Sequence, residues 1–158
     1  MSAFILSEGF QEAERDAIVA LLREYETGIG VSLCFQDFEA EIEGLPGDYT
    51  PPGGALILAR LAQDPRLVGC VALRRVAGAC DLCEMKRLYV RSEARKTGLG
   101  RQLALAAIAT GQRLGYRRIC LDTLPSMTAA QALYQALGFH RTGLSAGEPR
   151  VILFERTL

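Results

Sequence analysis

A strand pattern, a glycine-bearing turn and a long helix pattern follow one another in the middle of the chain. The strand is predicted from about Leu82 to Arg91, and the helix from Gly98 to Leu114, with Gly115 ending it. At the first turn of a helix, several backbone N–H groups lack partners and carry the positive end of the dipole. Glycines such as Gly98 and Gly100 let a ligand approach that backbone closely. The sequence therefore predicts a phosphate-binding turn here.

Two common phosphate-binding motifs are absent from this turn. A Walker A loop needs G-x-x-x-x-G-K-[ST], and a dinucleotide fingerprint needs a third glycine or alanine where this chain has Leu103. Taken alone, the two glycines are equally consistent with an ordinary helix start that binds nothing.

The elements around this turn predict a mixed sheet flanked by helices, which is an α/β (α+β) fold. Strands and helices alternate only in the second half of the chain, whereas the first half has two helices and then a hairpin. The predicted strands are residues 4–7, 55–61, 67–76, 82–91, 117–123 and 150–158. The predicted helices are residues 13–25, 35–44, 98–114 and a short helix that begins with a capping box at 128–131.

Composition limits the partners of the chain. Lysine plus arginine and aspartate plus glutamate both total 18, so the formal net charge is zero and no overall field attracts nucleic acid or an anionic membrane. The sequence begins without a secretion signal, and no apolar run approaches bilayer length. With 158 residues, 49% of them apolar, we expect one cytoplasmic domain over 1–158 without nucleic-acid or membrane partners.

The cysteines predict neither a disulfide framework nor a metal site. Cys80 and Cys83 form a C-x-x-C pair, which is the spacing of a redox pair or of half a zinc site. The chain has no second C-x-x-C and only His140 as a histidine, so we expect no metal. Mostly apolar neighbours favour reduced core thiols for all five cysteines, which are Cys34, Cys70, Cys80, Cys83 and Cys120.

Two separated motifs resemble the GNAT superfamily of acyl-CoA-dependent N-acetyltransferases. The first is Arg95-x-x-Gly98-x-Gly100, which follows the strand end Leu88-Tyr89-Val90. The second is Ala130-x-x-Leu133-Tyr134-x-x-x-Gly138-Phe139, and the resemblance spans roughly Leu56 to Phe139. It implies a mostly antiparallel central sheet and transfer of an acetyl group from acetyl-CoA to an amine on a small molecule or peptide.

The resemblance also assigns residues to the cofactor. It implies that the backbone of Leu88, Tyr89 and Val90 pairs with the pantetheine arm as an extra strand would. The pyrophosphate is expected on the loop formed by Arg95, Lys96, Thr97, Gly98, Leu99, Gly100 and Arg101. The three basic side chains of that loop either add charge or are simply solvated. Met127 stands where many relatives have asparagine, and it either packs against the cofactor arm or leaves that contact to Ser126 or Thr128.

Two residues are candidates for proton transfer. By the resemblance, Tyr134 is the general acid for the departing thiolate, and its alternative is a core tyrosine on a short amphipathic helix. Glu84 lies six residues before Val90, where the resemblance places the general base, so it is either that base, an organiser of water or a salt-bridged glutamate. The period of a strand places Glu84 on one face with Lys86 and Leu88.

Other functions remain open at this stage. A non-catalytic module that senses or sequesters acyl-CoA has the same motifs, and a nucleotide-binding protein of another fold is disfavoured by the missing lysine-serine/threonine pair. Glu39, Glu41 and Glu43 either attract a cationic acceptor or form a solvated helix face. A homodimer is possible, since exposed strand ends permit one.

Overall fold

The structure is a computed structural model that describes residues 3–33 and 36–158. The strands are β1 (Phe4–Glu8), β2 (Ala55–Leu61), β3 (Asp64–Arg75), β4 (Leu82–Val90), β5 (Arg118–Thr123), β6 (His140–Leu144) and β7 (Ile152–Thr157). The α-helices are α1 (Arg15–Ile29), α2 (Phe38–Glu43), α3 (Leu99–Arg113) and α4 (Thr128–Ala136). Short 3₁₀ turns cover Glu12–Glu14 and Ser92–Ala94. None of the helices in these described ranges is long and apolar enough to cross a membrane.

All seven strands belong to one sheet, in the order β1-β2-β3-β4-β5-β7-β6. The pairing of β4 with β5 is parallel, and the other five pairings are antiparallel. The mixed, mostly antiparallel sheet expected from the sequence is therefore confirmed.

Helices cover both faces of the sheet. On one face, α3 buries Leu99, Leu103 and Ala107 against the central strands. On the other face, α1 buries Ile18 and Leu22, and α2 packs into the same cluster. The central part of β3 is buried on both faces, which explains why its sequence is a continuous apolar run rather than an alternating one.

Strands β4 and β5 pair over only three positions and then separate. The last pair is Glu84 with Cys120, and no further pairing between the two strands occurs within the described residues. On its other edge β4 stays paired with β3 as far as Val90, while β5 stays paired with β7 along its whole length. Because both outer edges are held, the two inner edges diverge and leave a gap in the middle of the sheet.

A β-bulge in β4 changes which side chains share a face. Arg87 and Leu88 together lie opposite one residue of β3, and Arg87 has a φ of 61°. Lys86 therefore stays on the α2 side, where its ammonium donates to Gln36, whereas Leu88 packs into the cluster beneath α3. The prediction that Lys86 and Leu88 share a face with Glu84 is wrong for Leu88, because the bulge resets the alternation.

Three other local predictions differ from the structure. Strand β6 was not predicted, and β3 begins at Asp64, inside the stretch expected to be the hairpin turn. The capping box is wrong, since no side chain caps α4 and the Gln131 amide donates instead to the backbone oxygens of Leu124 and Pro125 at 3.1 Å each. The expected start of α2 at Phe35 lies outside the described residues.

Helix α2 is attached to the bulge by a buried ion pair. The Arg87 guanidinium donates to both carboxylate oxygens of Glu41, at 2.9 and 2.8 Å, and to the side-chain oxygen of Gln36 at 2.6 Å. It also lies over the ring of Phe38, at 5.0 Å from the centroid. The Arg87 side chain is 1% exposed and that of Glu41 is 14% exposed. Each buried charge is therefore stabilised mainly by the opposite charge of the other side chain.

We predict that Glu41→Ala lowers the free energy of unfolding by about 3 kcal/mol, because it leaves the buried Arg87 charge without its carboxylate. Urea denaturation followed by circular dichroism measures this loss. The matched control is Glu39→Ala on the same helix, which removes a solvent-exposed pair with Arg23 and is expected to change stability little. Equal effects of the two variants would contradict the structural role of the Arg87–Glu41 pair.

Candidate active site

The gap between β4 and β5 opens onto a cavity, called here the β4–β5 cavity. Its walls come from β4, β5, the end of α1 with the segment after it, α4 with the residue before it, and the residue before β7. The lining residues are Tyr25, Ile29, Val31, Leu33, Gln36, Met85, Lys86, Arg87, Leu88, Asp122, Thr123, Leu124, Met127, Tyr134 and Val151. Apolar and aromatic side chains share this lining with polar and charged ones, and such a mixture is usual for a small-molecule site.

Tyr134 lies in the wall of this cavity. Its ring packs edge-to-face on Phe139, with 5.8 Å between centroids, and against Phe154 at 6.2 Å. Burial raises the pKa of the Tyr134 phenol, so the hydroxyl stays protonated at neutral pH. No hydrogen bond to another part of the described chain satisfies that hydroxyl. The residue is thus both a core tyrosine and a free proton donor at the cavity.

Glu84 does not line the β4–β5 cavity. Its carboxylate accepts a hydrogen bond from Nε of Arg74 at 3.1 Å, forms an ion pair with Nη2 of Arg74 at 3.0 Å, and lies 3.9 Å from the Lys86 ammonium. Glu84 lines a second cavity, called here the adjoining cavity, which reaches the segment between β6 and β7. The structure therefore places the two expected proton-transfer residues in neighbouring cavities rather than in one.

The expected cofactor residues of β4 follow the edge that β5 leaves unpaired. Leu88 lines the β4–β5 cavity, whereas Tyr89 packs on the α1 side with its ring 6.0 Å from that of Tyr25. The carbonyl of Val90 accepts a hydrogen bond from Nε of Arg95 at 2.9 Å. An unpaired strand edge offers backbone donors and acceptors to an extended ligand.

The glycine-bearing loop leads directly into α3. Lys96 and Gly98 have φ values of 61° and 87°, and the helix begins at Leu99. The Thr97 hydroxyl donates to the carbonyl of Ala94 at 2.5 Å and accepts from the Leu99 amide at 3.4 Å, which fixes the turn. The basic side chains at this loop, Arg95, Lys96 and Arg101, are exposed. A Cβ added to Gly98 would meet no atom within 4 Å, so the outer face of the turn is open.

Met127 lies at the amino-terminal end of α4 and lines the β4–β5 cavity. Its thioether sulfur accepts a weak contact from the Thr123 hydroxyl at 3.7 Å.

Sequence reasoning missed the charged residues that the two cavities share. Both are lined by Gln36, Lys86, Asp122 and Val151. Burial lowers the pKa of Lys86, which is 7% exposed. The available signal was the occurrence of a charge inside an apolar strand, as with Asp122 between Leu121 and Thr123. That signal alone does not show on which face of the sheet the charged side chain lies, or which side chains surround it.

The described cysteines are free thiols in different surroundings. Cys70 and Cys83 are buried, Cys120 is half-buried and Cys80 is exposed. The expectation that the cysteines are core thiols is therefore wrong for Cys80, while Cys34 lies outside the described residues. Within 3–33 and 36–158, no group of three or more His, Cys, Asp or Glu residues is placed to hold a metal ion.

Comparison with known proteins agrees with this geometry. The sequence profile of the acetyltransferase (GNAT) family matches residues 15–139. An uncharacterised N-acetyltransferase of Schizosaccharomyces pombe is 39% identical over 127 residues, which cover 80% of this chain and 77% of the relative. A GNAT-family acetyltransferase of Staphylococcus aureus has the same fold, with a TM-score of 0.81 at 20% identity over 99% of both chains. Another, from Elizabethkingia anophelis with acetyl-CoA bound, has a TM-score of 0.73 at 19% identity over 100% of both chains.

The fold, the gap between β4 and β5 and the relatives define the protein as an acyltransferase. The chain belongs to the acetyltransferase (GNAT) family, as its two motifs indicated.

We predict that alkylation distinguishes the two cysteines of the C-x-x-C pair, because the thiolate is the reactive form. Burial raises the pKa of Cys70, Cys83 and Cys120 to about 12, so few of these thiols are ionised at neutral pH. Iodoacetamide followed by peptide mass spectrometry is expected to label Cys80 well before Cys83, and Cys80→Ser to remove the fast label. Equal labelling of both, or their linkage in a disulfide, would contradict this account.

Proposed function

We propose that this protein transfers the acetyl group of acetyl-CoA to an amine of a small molecule or peptide, with residues 1–158 acting as one N-acetyltransferase domain. The observation that carries the proposal is the gap between β4 and β5, which opens onto a cavity lined by a protonated tyrosine whose hydroxyl forms no hydrogen bond within residues 3–33 and 36–158. The family match and the structural neighbour with acetyl-CoA bound support the choice of acyl donor.

The residues around the gap fit the parts of acetyl-CoA. The edge of β4 from Leu88 to Val90, which β5 leaves unpaired, offers backbone groups to the amide-bearing pantetheine arm, as a neighbouring strand would, and the Val90 carbonyl then exchanges or shares its bond with Arg95. The loop of residues 95–101 offers the first N–H groups of α3 and an open Gly98 to the pyrophosphate, with three exposed basic side chains close in sequence. Met127 packs against the arm near the thioester.

The chemistry requires two proton transfers. An alkyl amine with a pKa of about 10.4 is protonated at neutral pH and must lose a proton before its lone pair attacks the thioester carbon. When the C–S bond of the tetrahedral intermediate breaks, the thiolate receives the proton of the Tyr134 phenol. Because burial raises its pKa, the phenol is protonated before the thiolate forms, and its anion is readily reprotonated afterwards.

We assign Glu84 the role of a water organiser rather than that of direct base. Its carboxylate is held by Arg74 and lies in the adjoining cavity, so it is placed to order water that leads away from the site. The sequence allows Glu84 to be either a general base or an organiser of water, and the second role agrees with its ion pair to Arg74.

We predict that Tyr134→Phe lowers kcat by about 100-fold, since the ring still packs but the proton donor is lost. Release of free thiol from acetyl-CoA across a panel of amines measures turnover, and calorimetry is expected to show unchanged acetyl-CoA binding. Tyr116→Phe is the control, because the Tyr116 hydroxyl donates to the Gly53 carbonyl away from the cavity. Full turnover in Tyr134→Phe removes this residue from the mechanism, and a wild-type protein that binds acetyl-CoA without turnover is a non-catalytic module.

We predict that Gly98→Glu weakens acetyl-CoA binding by about 100-fold or more, because it places a negative charge where the pyrophosphate binds. Isothermal titration calorimetry with acetyl-CoA, CoA and ATP measures this, and the wild type is expected to bind both CoA species but not ATP. Gly78→Glu is the matched control: Gly78 has a φ of 79°, no neighbour within 4 Å of an added Cβ, and a position in the turn before β4. A wild-type dissociation constant for Gly98→Glu would overturn the loop assignment.

A further inference from the structure

We infer that Asp122 binds the positively charged amine of the acceptor and thereby selects acceptors that are cations at neutral pH over neutral amines. The inference rests on the proposed acetyl transfer and adds to it the group that recognises the acceptor.

Asp122 lies where the acceptor must meet the acyl donor. It belongs to the part of β5 beyond Cys120, where pairing with β4 has ended. It lines the β4–β5 cavity together with Tyr134 and Met127, and it also lines the adjoining cavity that Glu84 reaches. A molecule that passes from the adjoining cavity towards the gap therefore passes Asp122.

Asp122 is the only acidic residue among the described residues that line the β4–β5 cavity. Its carboxylate is half-buried, and it has no hydrogen bond or ion pair with the rest of the described chain. The other acids nearby differ in this respect, since Glu41 is paired with Arg87 and Glu84 with Arg74. A partly dehydrated carboxylate without a partner attracts a cation that brings its own hydrogen-bond donors.

Lys86 is the cation of the chain that competes most directly for Asp122. Its ammonium donates to the side-chain oxygen of Gln36 at 3.3 Å and lies 3.9 Å from Glu84. These two contacts hold the charge on the β4 side of the cavity, and Lys86 forms no ion pair with Asp122. The Lys86 charge attracts Asp122 across the cavity, but because no ion pair joins the two side chains, the carboxylate oxygens of Asp122 are left for a ligand.

The reaction balances with Asp122 in this position. The acceptor binds as an ammonium ion and passes one proton through the Asp122 carboxylate to water in the adjoining cavity. The freed nitrogen lone pair forms the C–N bond, and the C–S bond breaks with its electron pair on sulfur. The Tyr134 phenol protonates that sulfur and is reprotonated by the second proton from nitrogen, so the sum is an acetamide, CoA and one released proton.

The test compares benzylamine, which is a cation at neutral pH, with aniline, which is a neutral amine of similar shape. In thiol-release assays, Asp122→Asn is expected to lower kcat/KM for benzylamine by about 100-fold, mainly through KM, because the acceptor's charge loses its partner. Activity with aniline and the KM for acetyl-CoA are expected to stay unchanged. Asp122→Glu is expected to recover part of the loss, and Asp16→Asn, at an exposed acid on α1, to change nothing.

Saturation-transfer NMR of benzylamine with the CoA-loaded protein provides a readout that does not depend on turnover. Loss of the signal in Asp122→Asn, with the aniline signal retained, supports the assignment. Wild-type binding and activity towards benzylamine in Asp122→Asn, or no benzylamine binding to the wild type, overturns it and leaves the proposed function standing. Benzylamine binding that depends on Asp122 but yields no free thiol from the wild type overturns acetyl transfer instead and leaves the cation site standing.

Discussion

The three-residue pairing between β4 and β5 is the constraint on which the site depends. If the parallel pairing continued past Glu84 and Cys120, the strands would satisfy each other's backbone groups and close the middle of the sheet. The antiparallel pairings on both outer sides keep the two strands in place after they separate. A gap inside a sheet exposes unpaired N–H and C=O groups. Leaving them unpaired costs free energy unless another chain, water or a ligand forms hydrogen bonds with them. An extended, amide-bearing ligand is one partner that would satisfy these groups, as the proposed function requires.

The bulge at Arg87 links this gap to the helices that cover the sheet. It brings two successive charged residues, Lys86 and Arg87, to the α2 side of β4, where they contact Gln36. Arg87 is neutralised by Glu41 and attaches α2 to the strand. Because Gln36, Lys86 and Arg87 all line the β4–β5 cavity, an irregularity of one residue in a strand shapes part of the surface of that cavity.

The fold and part of the site follow from local sequence patterns. The strand, turn and helix from β4 to α3 were predicted because periodicity and glycine positions act over a few residues, and the order of the two motifs indicated the family. The bulge at Arg87 and the capping of α4 were not predicted, since each depends on long-range register or on a competing hydrogen bond such as that of Gln131. Asp122 was missed for the same reason: its meaning depends on where β5 separates from β4.

The acidic residues near the site show how the same side-chain charge acquires different roles. Glu41 and Glu84 each lie beside an arginine, so their charges stabilise the fold or organise its surroundings before any ligand binds. Asp122 has no such partner in the described chain, although it is half-buried and adjoins the same cluster of charges. The free energy that a carboxylate loses on dehydration must be recovered from some cation. Where the protein supplies that cation the acid is structural, and where it does not, the most direct source is the acceptor amine that the reaction requires.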